Sequence, residues 1–168
     1  AVSVEPTDSI IFSHFTLFDH LYGEHIEDIA PVIPIEFLLL EGRETVDTMT
    51  FRRDSNYIDL IADLDKQYEK LKWAIKKNNT KLLAKICTES AFENQKLLYK
   101  PYLEKLLNIA MDCGALGLNI AHSGSVCGVI IGNDTNRENL ILSIQRTFEN
   151  YFQKIYFTHT TKGGTQLV

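Results

Sequence analysis

The stretch GALGLNIAHSGSVCG, Gly114–Gly128, lies between an amphipathic helical pattern and the apolar run Val126–Ile131. Leu118–Ala121 and Val126–Ile131 read as two strands joined through His122-Ser123-Gly124-Ser125. Glycine opens backbone conformations that other residues resist and lets a second group approach closely. A tip of this composition can turn several N–H groups and two hydroxyls toward one anion, with phosphate the first candidate. The same residues also suit a tight hairpin turn whose glycines serve geometry alone, and the spacing is not that of a P-loop.

Outward from this stretch the chain alternates strands and helices. Ile35–Leu40 predicts a buried strand, Gly42 a turn, and Val46–Phe51 a half-exposed strand. Tyr57, Leu60, Ile61, Leu64, Tyr68, Leu71 and Ile75 keep one helical face. Asn78-Asn79 ends it, and Thr80 is placed to cap a second helix running to about Asn94. Pro101 suits the first turn of a third helix and Gly114 its C-terminal cap. Thr135-Asn136-Arg137-Glu138 has capping-box spacing for a helix to about Tyr151, and Ile155–His159 closes as a strand. This order predicts an α+β fold with a mostly antiparallel sheet packed with helices. Residues 1–30 differ: rich in Phe, Tyr and His, they predict extended chain, a turn at Glu5-Pro6-Thr7-Asp8 and a short helix.

Composition narrows the function classes. A formal net charge of −5 over 168 residues, with no basic stripe, argues against a nucleic-acid partner. No apolar run is long enough to span a bilayer, since Glu36 interrupts the strongest one, Ile33–Leu40. No secretory signal precedes Glu5. Cys87, Cys113 and Cys127 are odd in number and far apart, which argues against a disulfide framework and for a cytoplasmic protein; Cys113 and Cys127, flanking the glycine stretch, read as small buried fillers.

Asp8, after a turn fixed by Pro6, could serve as a general base for a hydroxyl or as a magnesium neighbour, or be an ordinary turn aspartate. Ser90 and Asn94 are four apart on one helix face, beside Gln95, and could bind a small substrate or face water. His14, Asp19-His20 and Glu24-His25 have the composition of a zinc site. Gly23 and the five-residue spacing of His20 and His25 work against that, leaving surface or domain-contact histidines and no metal site.

GALGLNIAHSGSVCGVIIG resembles the third, C-terminal glycine-rich motif of the GHMP kinases. VEPTDSIIF with LFDH (Val4–His20), VDTMTF (Val46–Phe51), SAFENQ (Ser90–Gln95) and AHSGSVCG (Ala121–Gly128) resemble, in order, the L-threonine kinase branch associated with propanediol utilisation and cobalamin side-chain synthesis. The resemblance implies the ferredoxin-like C-terminal type of that family over residues 31–168, with residues 1–30 the tail of a missing N-terminal kinase domain. It implies ATP-dependent phosphotransfer to a small hydroxylated substrate, plausibly L-threonine. ATP and Mg2+ would be held mainly by the missing half, so that this chain alone is inactive. Gly114, Gly117 and His122–Ser125 (His122, Ser123, Gly124, Ser125) would form the phosphate and substrate loop, Asp8 a base or orienting group, and Ser90 and Asn94 substrate contacts. A non-catalytic amino-acid-binding regulatory module is the alternative.

Overall fold

A computed structural model describes residues 12–19, 22–43, 64–96, 98–121 and 125–163. In chain order these form β1 (His14–Asp19), β2 (Glu24–Pro31), β3 (Glu36–Gly42), α1 (Leu64–Lys76), α2 (Thr80–Glu93), α3 (Leu103–Asp112), β4 (Gly117–Ile120), β5 (Val126–Ile130), α4 (Arg137–Thr147) and β6 (Phe152–His159). The expected strand pair around the glycine stretch is β4–β5, antiparallel, with Asn119 opposite Gly128 and Ile120 opposite Cys127. β3 lies between β5 and β6, antiparallel to both, giving the order β4-β5-β3-β6. Each of the two crossovers, β3 to β4 by way of the described helices α1, α2 and α3 and β5 to β6 through α4, skips one strand position that the other unit fills. That is the ferredoxin-like split βαβ arrangement.

Strand alternation assigns the two faces. Leu38, Leu40, Leu118, Cys127 and Val129 are buried on one side against Leu103, Leu106 and Ala110 of α3 and Leu140 and Ile144 of α4. The helical spacings of three and four put each of those sets on one stripe. Phe37 and Ile130 belong to a second cluster with Ala74 and Ile75 of α1, Leu83, Ala84 and Ile86 of α2, and Ile29 of β2. Both faces of the sheet are therefore covered, at least in part.

The N-terminal segment departs from expectation. Its described part is not helical: β1 and β2 pair as an antiparallel hairpin that turns at Gly23, φ +75°. Register shifts at Phe15/Thr16 and Leu17/Phe18 break the period-two pattern by which the sequence would have shown a strand. The Asp8 turn and the Val46–Phe51 strand lie outside the described residues. His25 pairs with Asp28 at 3.0 Å, and Asp28 also accepts from Thr16.

Helix ends shift by small, explicable amounts. Asn79, not Thr80, caps α2, its side chain accepting from Leu82 N at 3.0 Å. Asn136, not Thr135, caps α4 by the same bond to Asn139 N. Thr135 accepts from Gly132 N and donates to the Gly114 carbonyl instead. Pro101 stands just before the α3 cap residue, Tyr102. α4 stops at Thr147, ahead of Tyr151, where Tyr102, Phe148, Tyr151 and Phe152 stack into one aromatic group.

The hairpin is tied to α1 through Glu27, which accepts from Lys72 at 2.8 Å and from Tyr68 at 3.1 Å. The Lys72 bond, more than the Tyr68 bond, holds the Glu27 carboxyl below its ordinary range. A depressed carboxyl stabilises the fold above the ordinary glutamate value, about 4.3, and that contribution fades as pH falls through the folded value. Glu27→Gln should therefore lower the melting temperature slightly at pH 6 and leave it unchanged near pH 2. Thermal unfolding at both pH values checks this.

Candidate functional site

Two hydrogen bonds fix the residues on either side of the β4–β5 tip, whose His122, Ser123 and Gly124 lie outside the described residues. Ala121 N donates to Val126 O at 2.9 Å and closes the β4–β5 ladder. Gly42 N donates to Ser125 O at 2.8 Å. A Cβ on Gly42 would stand 3.2 Å from that oxygen, so glycine there admits the close approach. The tip thus sits at the C-terminal end of β3, with Ser125 half-buried at its base.

Helix α2 lies along the outer edge of β4. Thr88 Oγ1 accepts from Leu118 N at 2.9 Å and donates to Ala84 O at 2.8 Å. This pairs the edge that β4 would otherwise present to solvent. Thr80 and Lys81, at the start of α2, line one cleft with Gly114 and Leu116, while Thr88 bonds Leu118, so α2 runs in the direction of β4. The C-terminal end of α2, carrying exposed Ser90 and half-buried Asn94, therefore reaches the same end of the sheet as the tip. Thr88→Val, which keeps the shape but leaves Leu118 N without its acceptor, should cost about 1–3 kcal/mol. Thr88→Ser should recover most of it, as urea unfolding of both variants would show.

The other two glycines sit elsewhere. Gly114 closes α3 with φ +78°, its N donating to Met111 O at 2.9 Å and its carbonyl accepting from Thr135. β4 separates it from the tip, so it lies at the opposite end of the sheet. Gly117 occupies the first position of β4, where its missing side chain makes room for α2. The structure brings Ser125, Ser90 and Asn94 to one end of the sheet; Asp8 lies outside the described residues.

Three further polar residues lie near that end, of which Lys100 carries no signal of its own in the sequence. Gln95 grips the backbone of Lys100 from both sides, accepting from its N at 2.6 Å and donating to its O at 3.0 Å. Lys100 is 9% exposed and its Nζ donates to Leu98 O at 3.0 Å; burial lowers its pKa. Asn119 faces Gly128 across the ladder. Nearby, the hydrogen bond from Tyr156, then that from Lys154, holds Glu41 below the ordinary carboxylate range. Burial pushes the Cys127 thiol up to about 12, so it is a filler and not a nucleophile. A separate open cleft of about 1100 Å³, lined by Trp73, Lys77, Thr80, Asp134 and Arg137, lies at the Gly114 end.

Residues 71–150, from α1 past the tip to the end of α4, match the family model described as GHMP kinases C terminal. The chain carries a GHMP-kinase C-terminal domain. An L-threonine kinase of Citrobacter freundii is 36% identical over 171 residues, covering 99% of this chain and 59% of that protein. An L-threonine kinase of Salmonella typhimurium is 38% identical over 173 residues, covering 99% and 57%. The chain thus spans somewhat more than half the length of these relatives. The fold of this GHMP-kinase domain is shared with L. major mevalonate kinase in complex with R-mevalonate (TM-score 0.66, 12% identity, 85% of this chain and 48% of that one). It is shared too with Lactococcus lactis galactokinase complexed with galactose (TM-score 0.58, 12% identity, 88% and 50%).

Proposed function

We propose that this chain is the C-terminal part of a cytoplasmic, ATP-dependent kinase that phosphorylates the hydroxyl of a small molecule, L-threonine first. The observation that carries this reading is the match of nearly the whole chain to two L-threonine kinases, with the strands on either side of His122–Ser125 paired as β4 and β5. Among the described residues, no helix is long and apolar enough to cross a membrane.

Phosphoryl transfer asks for positioning and charge neutralisation more than for covalent catalysis. The backbone N–H groups and hydroxyls of the His122–Ser125 tip would face the phosphate being transferred. Ser90 and Asn94, at the same end of the sheet, would contact the acceptor. Asp8 would orient its hydroxyl and take the proton as that oxygen bonds to the γ-phosphorus and the bond to the β,γ-bridging oxygen breaks, releasing ADP. Gly114 and Gly117 lie away from the tip: one caps α3, the other seats α2.

Charge neutralisation by Mg2+ and the binding of adenine fall mainly to the N-terminal part, to which residues 1–30 lead. Glu41, the described carboxylate nearest the tip by register, is engaged by Tyr156 and Lys154, which fits a phosphate-facing end better than a metal-holding one. The test is incubation of the full-length protein with Mg-ATP and a panel of small hydroxylated acceptors. O-phospho-L-threonine and ADP in equal amounts are expected. A folded protein that transfers phosphate to none of them would leave the amino-acid-binding module, recognisable by calorimetric binding of L-threonine without turnover.

A further inference from the structure

We propose that the open cleft at the Gly114 end of the sheet is a second ligand site, suited to a flat aromatic ring that carries a phosphate, such as a nucleoside monophosphate. It is separate from the phosphotransfer site proposed above. Helix α2, 14 residues and about 20 Å long, starts at this cleft with Thr80 and Lys81 and carries Ser90 and Asn94 at its far end.

Charge singles the place out. Residues 65–85 hold seven lysines against Asp65 and Glu69, in a chain whose net charge is −5. Two of those lysines, Lys77 and Lys81, line the cleft, and their ammonium groups have no hydrogen-bond or ion-pair partner among the described residues. Of the two carboxylates that the described residues bring to the cleft, Glu36 is engaged by Arg137. Asp134 is left alone against the two lysines, so the opening carries net positive charge for an anion to neutralise. A phosphate monoester, with about two negative charges at neutral pH, matches the lysine pair better than a single carboxylate does.

The apolar part of the cleft selects the ring. Helix α1 buries Ala74 and Ile75 and turns Trp73, the sole tryptophan of the chain, outward, 52% exposed in the cleft wall. Leu116, Ile131 and Phe157 continue the apolar lining. An exposed indole beside such a lining offers a stacking face to any aromatic heterocycle, whatever its hydrogen-bond pattern. At about 1100 Å³ the cleft has room for ring, sugar and phosphate together.

The test is a fluorescence titration of the full-length protein with AMP, the Trp73 signal being the difference between wild type and Trp73→Phe. AMP should change that signal saturably. The double variant Lys77→Gln/Lys81→Gln should bind AMP at least tenfold more weakly with its melting temperature unchanged, since both side chains are exposed. Adenosine and inorganic phosphate, each offering one part of the ligand, should each bind at least tenfold more weakly than AMP. No saturable change with AMP, equal affinity in the double variant, or adenosine or phosphate alone binding as tightly as AMP overturns the proposal. The readout needs no phosphotransfer, so failure of the kinase reading would show separately.

Discussion

Asp8→Asn in the full-length protein is expected to lower turnover about a hundredfold or more, with the melting temperature nearly unchanged. A carboxylate that orients a hydroxyl and takes its proton acts only as the new O–P bond forms, so its loss appears in kcat and leaves the binding of ATP alone. The amide of asparagine fills the same space and can still accept a hydrogen bond, but it cannot hold the proton. An exposed turn aspartate with no chemical task would behave differently: its replacement changes stability by about half a kcal/mol at most and leaves kcat as it was. Steady-state kinetics with L-threonine, beside thermal unfolding, separates the two. Near-wild-type turnover in folded protein removes Asp8 from the mechanism.

Gly117→Ala should be the most damaging single methyl group in the described structure, costing about 3 kcal/mol. Gly117 has φ +154°, which L side chains rarely adopt. Its Cβ would stand 2.4 Å from Thr88 Oγ1 and 2.8 Å from Ala84 O. The carbonyl belongs to helix backbone and cannot turn aside. Rotating Thr88 would relieve the other clash only by breaking its bond to Leu118 N, which leaves the outer edge of β4 unpaired. Helix α2 would have to move off the sheet, taking Ser90 and Asn94 with it. At about 2–4 °C per kcal/mol for a chain of this size, the melting temperature should fall by about 6–12 °C. Scanning calorimetry of the variant checks this, and a drop of less than about 2 °C would contradict the packing described.

Most of the sheet was legible because its central strands are short apolar runs bounded by turn residues, as strands covered on both faces should be. Phe37–Leu40 and Cys127–Ile130 are such runs. Gly114 was legible as a helix end because a positive φ after an amphipathic run has few other occupants. The β1–β2 hairpin was not, since two register shifts scramble the alternation within six residues. Cap assignments missed by one residue wherever two capping types adjoin, Asn79-Thr80 and Thr135-Asn136: each pair offers two oxygens, and a tertiary contact decides between them. Thr135 is drawn away by Gly114 and Gly132.

The glycine stretch shows the same division at the site. The two strands flanking its tip were legible from their apolar runs. The tasks of Gly117 and Gly128 were not, because each glycine is set by a side chain elsewhere in the fold. Thr88 lies a whole helix earlier, and Asn119 lies across the ladder. Lys100 was hidden for a similar reason, its position being held by Gln95 from a neighbouring turn. Local patterns report the elements; the contacts between elements that shape a site appear only once the chain is folded.

Phosphotransfer from ATP to L-threonine, measured side by side for this chain alone and for the full-length protein that contains it, tests the kinase reading most directly. Turnover by the full-length protein with O-phospho-L-threonine as product, and none by the folded 168-residue chain, is the predicted result. Failure of the full-length protein to use L-threonine, or equal turnover by the chain alone, would contradict it.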